Sequence, residues 1–220
     1  MTILCIETST SVCSAAICKD GEPISQCICR EGSNHARLLP RYIQQLLTEA
    51  RQQGLTIEAV ALSEGPGSYT GLRIGSSTAK GLCYGLSIPL IPVPTLEVLK
   101  IASGVKEGVL IPMIDARRME VYTMIDGETK AVVVENEQSL YTGDQTVYYF
   151  GDGAEKCSKV ITKPNWHYVP DIVPEAQYVG ALAEAKAAKG EGLKANEIAY
   201  YEPYYLKEFI AAPSHVKGLV

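Results

Sequence analysis

Between Thr70 and Leu86 small residues recur at strict four-residue spacing: Gly71, Gly75, Ala79 and Cys83. That spacing puts them on one face of a helix. Glycine in an isolated helix costs about 1 kcal/mol relative to alanine, so a helix with this face persists only when something packs closely against it. Leu72, Ile74, Leu82 and Leu86 supply apolar contacts around the seam. The stretch leading into it, SEGPGSYTGLRIGSSTAKG, crowds Gly65, Gly67, Gly71 and Gly75 together and raises a second reading, a phosphate cradle. Neither G-x-G-x-x-G nor G-x-x-x-x-G-K-[ST] spacing is present, and Pro66 removes one backbone N–H from any anion nest. Close helix packing is the better account. Gly67, Ser68 and Thr70 remain candidate anion or nucleotide contacts at the helix N-terminus.

The rest of the chain supplies partners for such a helix. Strands are expected at Ile3–Thr8, Val12–Lys19 and Pro23–Arg30, the last two joined by Asp20-Gly21, a strong hairpin turn. A helix follows, capped by Ser33 or Asn34 and stopped at Gly54, with Leu39, Ile43, Leu46, Leu47 and Ala50 at helical spacing. Leu38 and Tyr42 widen its stripe; Pro40 is tolerated in a first turn and otherwise bends the helix. Strands at Ile57–Leu62 and Pro89–Val93 and a helix at Thr95–Ala102 complete a first lobe. The second half restarts with strands at Val109–Ile114, Glu120–Ile125 and Lys130–Val134, again with an Asp-Gly turn, Asp126-Gly127. Val147–Phe150, Gly151-Asp152-Gly153 with a short helix, and an alanine-rich helix at Pro174–Lys189 follow. This is a duplicated α/β architecture. The expected division is 1–103 and 104–220, with the last segment packing back on the first lobe.

Composition narrows the function classes. Of 220 residues 46% are hydrophobic and 20% charged, which excludes a disordered chain. A net charge of -5 gives no global pull toward nucleic acid, so any RNA contact needs a local patch or a partner. No apolar run spans a bilayer, and MTILCIETST reads as a first strand rather than a signal peptide. The seven cysteines include no C-x-x-C pair, and five lie in strand-like sequence, as expected of thiols in a reducing cytoplasm. His35, His167 and His215 are isolated, so a metal site would need distant ligands. No G-x-S-x-G elbow marks a nucleophilic serine. Asp115-Ala116-Arg117-Arg118-Met119-Glu120 is a charged corner between two strands, an exposed turn or a ligand or RNA contact.

Taken together, IETSTSVCSAAI, HARLLP, EGPGSYTGLRIGSSTAKGLCYGLSIPLIPV, IDARRMEVY and PYYLKEF resemble the TsaB family, also called YeaZ. The resemblance implies a two-lobed fold of the actin-like, Hsp70-like and sugar-kinase-like kind, with mixed five-stranded sheets flanked by helices. It implies a non-catalytic subunit that pairs with the transferase TsaD, with TsaE joining them, to make N6-threonylcarbamoyladenosine beside the tRNA anticodon. Contact with tRNA is then expected only through the complex, and a homodimer is allowed when the chain is alone. In the transferase relative an acidic pair follows I-E-T-S; here Ser11 and Val12 take those places. Its two metal-binding histidines align with Thr95 and Leu99, so no cofactor, metal or catalytic residue is expected. The resemblance places the partner interface on the first lobe's two helices: Arg37, Leu39, Tyr42, Ile43 and Leu46 on one, and Gly71, Arg73, Gly75 and Ala79 on the other. Gly75→Arg is then expected to abolish pairing in a monomer that still folds. The rival readings are a metallopeptidase-like enzyme and a nucleotide-binding phosphotransferase-like protein.

Overall fold

The computed structural model describes residues 1–32 and 34–207. Ser33, the alternative cap, and the end of the PYYLKEF run, Glu208 and Phe209, lie outside the described residues.

The first sheet contains β1 (Thr2–Glu7), β2 (Cys13–Lys19), β3 (Glu22–Cys29), β4 (Ala59–Gly65) and β5 (Leu90–Pro94) in the order β3-β2-β1-β4-β5. The second contains β6 (Val109–Asp115), β7 (Glu120–Ile125), β8 (Glu128–Val133), β9 (Val147–Phe150) and β10 (Trp166–Val169) in the order β10-β9-β6-β7-β8. Each sheet opens with an antiparallel meander and adds two parallel strands beside its first, so the halves repeat one topology. The duplication is carried by strand order, not by helix size. Where the first half crosses over through α1 (His35–Gln52) and α2 (Tyr69–Leu86), the second has a single 3-10 turn (Glu137–Ser139) and α4 (Ala154–Cys157).

Both strand faces of the first sheet are apolar, as a central parallel pair requires. Leu4, Ile6, Val60 and Leu62 face α1 and α2, meeting Leu39, Ile43, Leu46, Ala79 and Cys83. Ile3, Cys5, Ala59 and Ala61 face the other way, toward α3 (Thr95–Ser103) through Val98 and α5 (Ala176–Ala188) through Ala176, Val179 and Ala183. Thus α5, late in the chain, packs on the first sheet. A short α6 (Ala195–Ile198) adds Ile198 to the α1–α2 side.

Two local expectations change. Pro40 falls in the second turn of α1, yet the helix continues through it; the carbonyl it leaves without a helical donor is that of Ala36, an exposed residue that water can serve. Strand β10 and helix α6 carry no period that the sequence reading registered.

Candidate functional site

The turn after β1 lies directly on the Gly65–Ser68 loop and on α2. Ser68 N–H donates to Ser9 O at 2.6 Å, and Thr8 Oγ1 donates to Gly71 O at 2.8 Å. A Cβ at Gly67 would sit 2.3 Å from Ser9 O, one at Gly71 2.0 Å from Thr8 O, and one at Gly75 2.4 Å from Thr8 Oγ1. The small-residue seam therefore meets the chain's own first strand and turn. A side chain at Gly75 collides with Thr8 inside the lobe, so Gly75→Arg damages the fold itself rather than sparing the monomer.

This contact also limits anion binding. Ser68 caps α2 by accepting from Gly71 N–H at 3.3 Å, its carbonyl takes Leu72 N–H, and Gly67 is pressed onto Ser9. Thr70 is exposed.

Glu7 closes the end of β1 and is fully buried. Its carboxylate accepts Ser9 N–H at 2.6 Å and the hydroxyls of Ser9 and Ser63. Burial pushes this carboxyl above the ordinary glutamate range, the serine donors oppose that shift, and Asp152 of the second lobe adds to it. Asp152 itself is raised, chiefly by desolvation and also by Asp115, while its Oδ1 accepts Asp115 N–H at 2.9 Å. Lys156 donates to the Asp115 carboxylate and, at 2.7 Å, to Glu120 O. His35 is buried, and its Nε2–H lies 3.0 Å from Thr10 O and 3.1 Å from Val12 O, an arrangement that ties α1 to the first turn.

The positions aligned with the transferase's metal ligands do not fit a metal. Thr95 and Leu99 are both 0% exposed. Thr95 Oγ1 accepts Gly65 N–H at 3.1 Å, and Leu99 packs with Leu96, Ile114, Met124 and Phe150. Val12 is buried and Ser11 exposed. A hydroxyl already bonded and an alkyl chain offer no ligand set of the kind divalent metals take. Among the described residues no group of three or more His, Cys, Asp and Glu is placed to hold a metal.

On the outer side of the first lobe, Leu39, Ile43 and Leu46 are core residues of the lobe itself, as are Gly71, Gly75 and Ala79. Of the expected interface positions Arg37 and Arg73 are exposed and Tyr42 half-buried. Leu38, Arg41, Tyr42 and Gln45 line a shallow depression on α1.

The segment Tyr201–Lys207 bridges the lobes, where the sequence reading has the last segment packing back on the first lobe alone. Tyr204 N–H donates to Glu64 O at 2.7 Å, the rings of Tyr205 and Tyr69 lie 5.0 Å apart, and Lys207 pairs with Glu120 of β7. Upstream, Lys80 Nζ donates to Ala199 O and Tyr201 O at 2.8 and 3.0 Å. The only signal was the run of tyrosines in YYEPYY.

The family model "TsaD: tRNA N6-adenosine threonylcarbamoyltransferase" matches residues 31–147, more than half of the chain. The chain belongs to this family. Within it the similarity is to the TsaB branch, named tRNA threonylcarbamoyladenosine biosynthesis protein TsaB: the Haemophilus influenzae relative is 33% identical over 103 residues, and the Escherichia coli relative 40% over 96. These matches cover 47% and 44% of this chain and 43% and 41% of the relatives, so the chain aligns with less than half the length of each. YeaZ from Pseudomonas aeruginosa superposes over 93% of this chain and 99% of its own at 29% identity, with a TM-score of 0.73. The TsaB/YeaZ assignment and the two-sheet duplicated fold therefore stand together.

Proposed function

We propose that this chain is a non-catalytic partner subunit for threonylcarbamoylation of the adenosine 3' of the tRNA anticodon, pairing with a TsaD-type transferase and working with TsaE. The observation that carries the reading is the fate of Thr95 and Leu99: both are committed to the interior of the first lobe and its contact with the second sheet. The names of the TsaB relatives support the pathway. The partner face is the outer side of α1 and α2, where Arg37, Arg41, Tyr42 and Arg73 reach the surface and Leu39, Ile43, Leu46, Gly71, Gly75 and Ala79 form the packed layer beneath. Half-buried apolar side chains within a charged rim are the make-up of a protein contact.

The decisive measurement is reconstitution on unmodified tRNA with transferase, TsaE, ATP and the threonylcarbamoyl donor. Modification should require both this chain and the transferase, with none from this chain alone. Threonylcarbamoyl transfer by the purified chain, or full activity without it, would end the reading.

A further inference from the structure

We propose that the Arg117–Arg118 turn, with Tyr204 and Tyr205 of the strap that Lys207 ties to Glu120, is a contact surface for single-stranded RNA, so that this chain touches the tRNA itself. The proposal rests on the tRNA-modification reading above and departs from the expectation of contact only through a partner.

The backbone of the turn raises the question. Among the described residues three hairpins have left-handed residues at the turn. Two use Asp-Gly: Asp20 and Gly21 at φ 53° and 84°, and Asp126 and Gly127 at φ 51° and 81°. The longer β6–β7 loop, Arg117 to Met119, instead holds Arg117 and Arg118 at φ 72° and 50°. Glycine adopts this region without steric cost and aspartate tolerates it, whereas other L-residues are strained there. Two consecutive arginines held in this region point to a use for their side chains.

Those side chains are not spent inside the molecule. The acids nearest the turn are already engaged: Asp115 with Lys156, Glu120 with Lys207, and Asp152 with Asp115 N–H. Among the described residues neither guanidinium forms a salt bridge, and both residues are exposed.

The strap tied to Glu120 also carries aromatic rings. Tyr204 is 44% exposed, and the next ring, Tyr205, lies 5.0 Å from that of Tyr69. Two residues beyond Tyr205, spanning at most about 7 Å of chain, Lys207 is fixed to Glu120 at the foot of the arginine turn. Arginines that attract phosphates, joined to aromatic faces on which unpaired bases stack, are the elements of single-strand RNA recognition. An acidic protein would satisfy the charges but leave the stacking faces unused.

The test is fluorescence anisotropy of an unmodified tRNA and of its isolated anticodon stem-loop, titrated with this chain alone and in complex with its transferase over a salt series. Arg117→Asn with Arg118→Gly restores a favourable turn while removing both charges. This variant should melt no lower than the wild type, bind RNA at least tenfold more weakly, and show a salt dependence shallower by about 1.4 in log–log slope. Arg117→Lys with Arg118→Lys should retain most of the affinity, and Tyr204→Ala should lose several-fold. Wild-type RNA affinity in the Asn-Gly variant would overturn the proposal. So would loss of transferase pairing with RNA affinity intact, which would make the turn a protein contact. Failure of the wild-type complex to modify tRNA would instead strike the functional reading, because the anisotropy scores the surface independently of modification.

Discussion

Glu7 shows how much one residue does at the junction of strand, loop and second lobe. It is a fully buried carboxyl that accepts from three donors, and its pKa stands above the ordinary value of 4.5. A raised acid binds its proton more tightly folded than unfolded. Its contribution is therefore full below the unfolded pKa and is lost as pH rises through the folded one. Relative to Glu7→Gln, the wild type should lose stability as pH increases from about 4.5, by at most about 1.4 kcal/mol per pH unit for one group. Urea midpoints for the two proteins across pH 4 to 8 check this. Parallel curves would mean that the serine donors cancel the desolvation.

At the scale of elements, α1 and α2 were legible as helices, but which face did what was not. Gly71, Gly75 and Ala79 announced a close approach by their spacing, and the approaching group is the Thr8–Ser9 turn, more than sixty residues upstream. A four-residue repeat records how near a neighbour comes, not which neighbour it is. The same holds for α5: its alanines lie on all sides of the helix, so no stripe pointed to the first sheet, although Gly180 is pressed against Cys18 of β2. The Asp-Gly turns, by contrast, located two hairpins because their signal is local, while the strap left no periodic trace because Pro203 between two tyrosine pairs makes no regular element. Division of α1 into core and surface yields a measurable split. Leu39→Ala should cost about 2–5 kcal/mol in unfolding free energy, as expected for a fully buried leucine, and should weaken pairing only through the fold. Tyr42→Ala together with Arg41→Glu should leave the melting temperature within a few degrees and reduce transferase capture at least tenfold. If the surface pair leaves capture unchanged in a pull-down, α1 is not the partner face.

At the scale of the molecule, the two halves of the sequence are less separable than their repeated strand order implies. One face of the first sheet, with Ile3, Cys5, Ala16, Cys18, Ala59, Ala61, Ile91 and Val93, is covered largely by α5, which belongs to the second half of the chain. That docking is pinned at both ends of the contact. Ala176 N–H donates to Ser14 Oγ at 2.9 Å, and the buried Glu175 takes Arg30, Gln26 and Gln177. Leu193 exchanges backbone hydrogen bonds with Leu90 at 2.8 and 3.0 Å, which extends the first sheet's edge. The strap then returns to Glu64 before reaching Glu120. Helix α3 adds a further tie, with Val98 facing the first sheet and Leu96 and Leu99 the second. Residues 1–103 alone would therefore present an uncovered apolar sheet face, a surface that soluble monomers rarely expose. The expected outcome is a single cooperative urea transition for the whole chain, with coincident far-UV and near-UV signals. The 1–103 fragment should bind an apolar fluorescent dye and unfold without a sharp transition. Adding the 174–199 peptide in trans should suppress dye binding and restore cooperativity; a fragment that already unfolds sharply by itself would show that α5 is dispensable to the first sheet.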